Sequence, residues 1–219
     1  MSAKPRLLLP DTVVIIATMA CGRWPALCGA YAVMVPSIIA GEMQFYFDKD
    51  GVKQHVELVT AVTTGRHRFT HKPTVSGPGV SAAVNLDPIA AGEFALWSAP
   101  LGDLQHTKML LHPELRPRVD DGELEAVTYL RLLQDGEGVA FVTADVGAIH
   151  ATVAFDRTEC AMSLEHVLAK CGHSMSLAYE FGDAHLKASV RDGEVRKLQG
   201  RALSGPATSS KAAGRRKNG

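Results

Sequence analysis

Four carboxylates stand at the ends of apolar runs, where a folded chain can do chemistry with them. Asp11 closes the run Leu7-Leu8-Leu9-Pro10, and Asp145 follows the β-branched run Gly138 to Thr143. Glu42 lies on the helical stretch after a third run, Ala32 to Val35, and Glu123 opens the helical stretch that leads toward Asp145. In open α/β sheets, ligands bind outside the carboxyl ends of the strands, so these four acids are expected at one end of one sheet. Like charges crowded there raise one another's pKa unless a cation sits among them. An oxygen-only ligand set selects Mg²⁺ or Mn²⁺ over softer metals, and its usual work is phosphoryl chemistry. Asp121, two residues before Glu123 at the same helix start, is the rival for the third position and a further candidate metal ligand. Structural roles compete at every position. Asp121 and Glu123 can cap and complement a helix dipole for up to about 1 kcal/mol each. Asp11 and Asp145 can be plain turn residues, and Glu42 can ride a solvated helix face.

The elements that must position these acids are mostly short. Arg6 to Leu9 reads as a buried strand, and Thr12 to Ala20 as a buried helix whose Val-Val-Ile-Ile content equally suits a strand. Pro25 to Tyr31 reads as a short helix and Ala32 to Val35 as a strand. Pro36 then suits the first turn of a helix through Ile38, Ile39 and Glu42. From Gln44 to Ala61 the pattern alternates around Asp48-Lys49-Asp50-Gly51, which is hairpin chemistry. His67 to Pro88 is polar and rich in Gly, Pro and Ser, so it reads as a loop or insertion, and Leu96 to Leu111 has no assignable period. Leu124, Ala126, Val127, Leu130 and Leu133 make a helical stripe behind Asp120 to Glu123. Gly138 to Thr143 is a strand, Val146 to Phe155 a helix, and Ser163 to His166 opens another helix. Short apolar strands alternating with helices predict an α/β fold with a central parallel sheet covered on both faces, in three α/β/α layers. The predicted organisation is one domain over residues 1–199, with an insertion at about 44–113 and a basic disordered tail over 200–219.

Composition narrows the class. Of 219 residues, 46% are hydrophobic and 21% charged, which suits a globular core and excludes collagen, coiled coil and wholesale disorder. Lys plus Arg equal Asp plus Glu at 23 each, yet the last twenty residues carry five basic groups and no acid. The remaining body has 18 basic against 23 acidic residues, a net charge of −5. The basic tail suits nonspecific attraction to nucleic acid or a simply solvated end. Lys4 and Arg6 ahead of an apolar run ending in Cys21 imitate a lipoprotein signal, but Asp11 inside that run opposes insertion. Pro25, Gly29 and Pro36 interrupt the next apolar run, so no membrane span and a cytoplasmic location are expected. The four cysteines show no metal-site spacing and read as reduced thiols.

Other motifs carry less. His67 and His71 are four residues apart, with no helix to align them and no third ligand. The cluster Arg66-His67-Arg68 can meet phosphate or stay solvated. Ser76-Gly77-Pro78-Gly79 lacks the Gly-Lys-Ser/Thr of a phosphate loop, and no Gly-x-Ser-x-Gly points to an esterase.

Taken in order, four segments resemble the PIN domain family, which includes the VapC-type toxins of toxin–antitoxin pairs. They are Leu8-Leu9-Pro10-Asp11-Thr12, Tyr31 to Glu42 with its Val35-Pro36-x-x-x-x-x-Glu42, Asp121-Gly122-Glu123-Leu124-Glu125-Ala126, and Val142-Thr143-Ala144-Asp145. The resemblance covers about Leu7 to Gly172 and is most specific in the Gly122 to Ala126 box followed by Thr143-x-Asp145. It implies a metal-dependent phosphodiesterase, an endoribonuclease acting on single-stranded RNA. Asp11, Glu42, Glu123 and Asp145 would be its acidic positions, and Mg²⁺ or Mn²⁺ its cofactor. It also implies homodimers and, for a toxin, an antitoxin partner. Val13 and Val146 stand where the family commonly has polar groups, which motivates a second reading: a catalytically weak or inactive PIN-fold protein that binds nucleic acid or serves as a scaffold. A phosphatase is disfavoured, since Asp11-Thr12-Val13 lacks the second aspartate of a nucleophilic Asp-x-Asp.

Overall fold

Asp11 and Asp145 owe their positions to two adjacent strands. In the computed structural model, which describes residues 7–43, 45–47, 53–60, 65–71, 92–134 and 138–204, the chain runs through β1 (Leu7–Pro10), α1 (Thr12–Ala20), α2 (Trp24–Ala30), β2 (Ala32–Pro36) and α3 (Ser37–Glu42). Three strands follow, β3 (Phe45–Phe47), β4 (Lys53–Thr60) and β5 (His67–His71), then β6 (Ala95–Trp97) and α4 (Leu101–Leu110). The remainder is α5 (Asp121–Leu132), β7 (Val139–Val142), α6 (Val146–Ala154), β8 (Ala161–Met162), α7 (Leu164–Lys170) and α8 (Asp183–Leu198).

The central sheet has the order β6-β2-β1-β7-β8 with every neighbouring pair parallel. Its strands are short apolar runs because both faces are buried. Successive side chains point to opposite faces. Leu8, Ala140 and Val142 accordingly enter one core with Val14, Ile15, Leu27 and Val167, while Leu9, Val139 and Phe141 enter a second with Leu124, Val127, Leu130 and Ala151. Helices flank the sheet on both sides, compatible with the expected three layers. Asp11 settles the ambiguity of Thr12 to Ala20: its Oδ1 accepts from Val14 N at 2.8 Å, capping a helix that buries Val14, Ile15 and Thr18.

The predicted hairpin is present as β3 and β4, with its Asp48 to Gly51 turn outside the described residues. His67 to His71 differs from the expected loop. It pairs antiparallel with β4, and among its residues of described burial Phe69 is the core anchor, tilted against Phe94 with ring centroids 4.6 Å apart. A single buried ring in a polar segment gives no apolar run to read. The expected insertion at 44–113 also ends earlier: β6 is an edge strand of the central sheet, paired through Met34–Ala95 to Pro36–Trp97, and α4 packs on α5. The loop proposed around Ser76 to Gly79 lies outside the described residues.

The tail boundary moves as well. Residues 200–204 dock on the body: Ala202 is buried, Leu203 bridges Leu111, and the Arg201 guanidinium pairs with Glu114. Residues 205–219 lie outside the described residues. All four cysteines are free thiols. Among the described residues, no single helix is long and apolar enough to cross a membrane.

Candidate functional site

The register Pro10↔Val142 brings the C-terminal ends of β1 and β7 level, so Asp11 and Asp145 leave the sheet side by side. Each caps the helix that follows. Asp145 Oδ1 accepts from Ala148 N at 2.8 Å, as Asp11 Oδ1 does from Val14 N, and each carboxylate keeps a second oxygen that its cap does not use. The competing structural role is thus real and leaves half of each group free. Asp11 is only 2% exposed, and its Oδ2 is buried with no hydrogen-bond partner among the described residues. Burial pushes the Asp11 carboxyl up to about 6, with the Asp145 charge adding to the rise. The Thr143 hydroxyl and the N–H groups of Val14 and Ala144 partly offset it.

Glu123 reaches the same neighbourhood from the first turn of α5. Its Oε2 closes a capping box by accepting from Asp120 N at 3.2 Å. Burial first, then the charges of Asp145 and Asp11, together raise this carboxyl to about 8. Glu123 thus feels both strand-end aspartates, and Asp11 feels Asp145. Glu42, at the end of α3, is exposed and accepts a hydrogen bond from the Thr12 hydroxyl, beside Asp11. It also lies against Gly122, where an added Cβ would stand 2.9 Å from Glu42 Oε1 and 2.8 Å from Ile39. Glycine is therefore what lets α3 approach the start of α5. Asp121 is engaged elsewhere: its Oδ1 forms an ion pair with Lys108 Nζ at 2.9 Å on the surface, and its side chain is 64% exposed.

Glu125 is the residue that sequence reasoning missed. It is buried, and its two oxygens accept from Ser37 Oγ at 2.9 Å, Ile38 N at 2.8 Å and Ala99 N at 2.8 Å. Pro36 supplies no side-chain cap to α3, so Glu125 caps that helix from across the fold. It fixes the junction that carries Glu42. On the other side, His185 Nε2 donates to Ala144 O at 3.0 Å, tying α8 to the residue before Asp145.

Comparison with known proteins returns no matching family model, no matching curated protein and no matching solved structure. The site therefore speaks through its own donors. They are all carboxylate oxygens, which suits a hard divalent cation, and the buried, partnerless Oδ2 of Asp11 is the atom such a cation would satisfy. Among the described residues, no three His, Cys, Asp or Glu side chains stand close enough together to hold a metal ion. Asp145 acts on both Asp11 and Glu123, while Thr12 donates to the Glu42 carboxylate, Thr143 accepts from Asp145 N and Glu125 caps α3.

Proposed function

We propose that this chain is a PIN-type phosphodiesterase that depends on Mg²⁺ or Mn²⁺ and cleaves single-stranded RNA. One observation carries the reading: a buried Asp11 oxygen without a partner, flanked by Asp145 and Glu123 at the carboxyl edge of a parallel sheet. A buried carboxylate oxygen without a partner is costly, and perturbed carboxylates concentrate at functional sites. A bound divalent ion supplies neutralising charge and a water acidic enough to be deprotonated near neutral pH. Asp11 and Asp145 would hold it through the oxygens their caps leave unused, with Glu123 and Glu42 alongside. Without an ion, Glu123 keeps a proton on its carboxyl at neutral pH, and it releases that proton when positive charge offsets Asp11 and Asp145. The Thr12 hydroxyl holds the Glu42 carboxylate beside Asp11.

On this reading RNA is the substrate, and an antitoxin, for a toxin of this class, would act by covering the acidic edge. The test is cleavage of end-labelled single-stranded RNA in Mn²⁺, with chelator as the control. Cleavage that survives chelation sinks the metal dependence. Metal-loaded protein that binds RNA without cutting it favours the scaffold reading, which one observation supports: Asp11, Asp145 and Glu123 each already spend one oxygen on a helix cap.

A further inference from the structure

Beside the acidic edge, on the β8 side, the fold holds an aromatic ring open to solvent. Tyr179 is 66% exposed, and among the residues with described exposure the other large apolar side chains left exposed are aliphatic. Its ring meets the His185 imidazole edge-to-face, with centroids 5.5 Å apart and planes at 80°. In that geometry one ring presents its edge to the other's face, so at least one face of Tyr179 stays free whichever ring does so. The imidazole is itself fixed, since Nε2 donates to Ala144 O at 3.0 Å, one residue before Asp145.

The start of α8 is anchored too. Gly182 gives this helix no side-chain cap, and the Glu165 carboxylate takes over by accepting from Asp183 N at 2.9 Å. In return, Asp183 accepts from the Ser163 hydroxyl, which caps α7 at the end of β8. A ring on a floppy loop would lose in ordering what it gained in contact. This one is held in advance, next to the groups proposed to act on a phosphodiester.

We propose that Tyr179, positioned by His185, is a stacking platform for a base of the single-stranded RNA whose backbone lies at Asp11 and Asp145. The inference rests on the function proposed above and assigns it a substrate-binding residue. Stacking is tolerant of base identity because every base has a π-face, so the platform recognises an unpaired base and not a particular sequence.

The experiment measures anisotropy of a labelled oligouridylate with full-length protein in Ca²⁺, beside a matched oligomer of abasic sugar-phosphate. Tyr179→Ala should weaken oligouridylate binding ~10-fold or more, in line with the worth of a stacked base, while Tyr179→Phe retains it. The abasic oligomer should bind wild type and Tyr179→Ala alike, which separates stacking from a general disturbance of the surface. Both variants should melt with wild type, since the ring is exposed. Equal oligouridylate affinity for wild type and Tyr179→Ala overturns the platform and leaves the nuclease reading standing. Wild type that binds neither oligomer overturns both.

Discussion

At the scale of single residues, the caps and the charges can be separated. Asp145→Asn preserves the oxygen that accepts from Ala148 N and removes one anionic ligand of the proposed ion. Groups that merely support a metal ligand cost 10–100-fold when lost, so deleting a ligand's charge should lower Mn²⁺-dependent RNA cleavage by ~100-fold or more. Asp11→Asn should do the same, and the double variant should be scarcely slower than either, because groups acting as a unit are not additive. Fully additive losses would show that the two aspartates serve separate steps. In chelator, pH dependence gives a second check. Asp11 binds its proton more tightly folded, at about 6, than at its ordinary 3.8. Its contribution to stability is therefore fully present below about pH 4 and lost as pH rises through about 6, with Glu123 continuing the loss through about 8. His150, whose pKa is lowered by burial, acts in the opposite sense, so the wild-type curve alone is ambiguous. The difference curve is clear: Asp11→Asn should gain on wild type above pH 6 by up to ~3 kcal/mol in urea unfolding. No gain at pH 7.5 would mean that the Asp11 charge is already compensated. The positions of Asp11 and Asp145 were legible because a strand-end acid needs only the strand to be seen. The surface pairing of Asp121 and the cross-fold grip of Glu125 were not, since both depend on which helices pack together.

At the scale of elements, close approaches set the angles on which the site depends. Glu125→Ala removes one buried acceptor group and strands Ser37, Ile38 N and Ala99 N. It should destabilise the protein by ~3 kcal/mol or more, read as a fall in urea midpoint, whereas the exposed Glu42→Ala should change it by less than ~1 kcal/mol. Gly147→Ala should be worse still. A Cβ there would stand 1.8 Å from Arg118 O, so α6 must move away from the segment after α4, and soluble folded protein should be lost or greatly reduced. Wild-type melting of that variant would refute the close approach. Helices with an apolar stripe, such as α5, were readable from period alone. The long helix α8 was not, and its packing says why. The residues it buries are Ser189 and Gly193, and a Cβ at Gly193 would lie 3.2 Å from His150 and Val153. A helix that docks by being thin leaves no hydrophobic period in the sequence. β5 escaped for the related reason that one phenylalanine anchors it.

At the scale of the whole molecule, the parallel sheet was legible from alternating short apolar runs and helices, while the true edge of the folded body was not. Gly200 to Ser204 read as tail by composition, yet Ala202 is buried and Ser204 Oγ donates to Leu111 O at 2.9 Å and accepts from the Arg116 guanidinium at 3.0 Å. Truncation after Ser204 should melt like the full chain, since residues 205–219 offer no apolar side chain larger than proline. Truncation after Gln199 should lower the melting temperature by several degrees, about 1–2 kcal/mol for a chain of this size. Identical melting of the two truncations would show that the docked segment adds nothing. The shorter deletion also removes Lys211, Arg215, Arg216 and Lys217, so RNA affinity should fall modestly and depend less steeply on salt.

The pairing of β1 with β7 also sets a clock on biosynthesis. Asp11 leaves a ribosome well ahead of the strand that seats its neighbour Asp145, which lies more than a hundred residues later. At about 5–20 residues per second, the two aspartates are separated by several to tens of seconds of translation. Until β7 emerges, β1 has only β2 beside it and no acidic edge can assemble. During that interval β1 waits with one neighbour in place, and the two aspartates come level only after translation has passed β7.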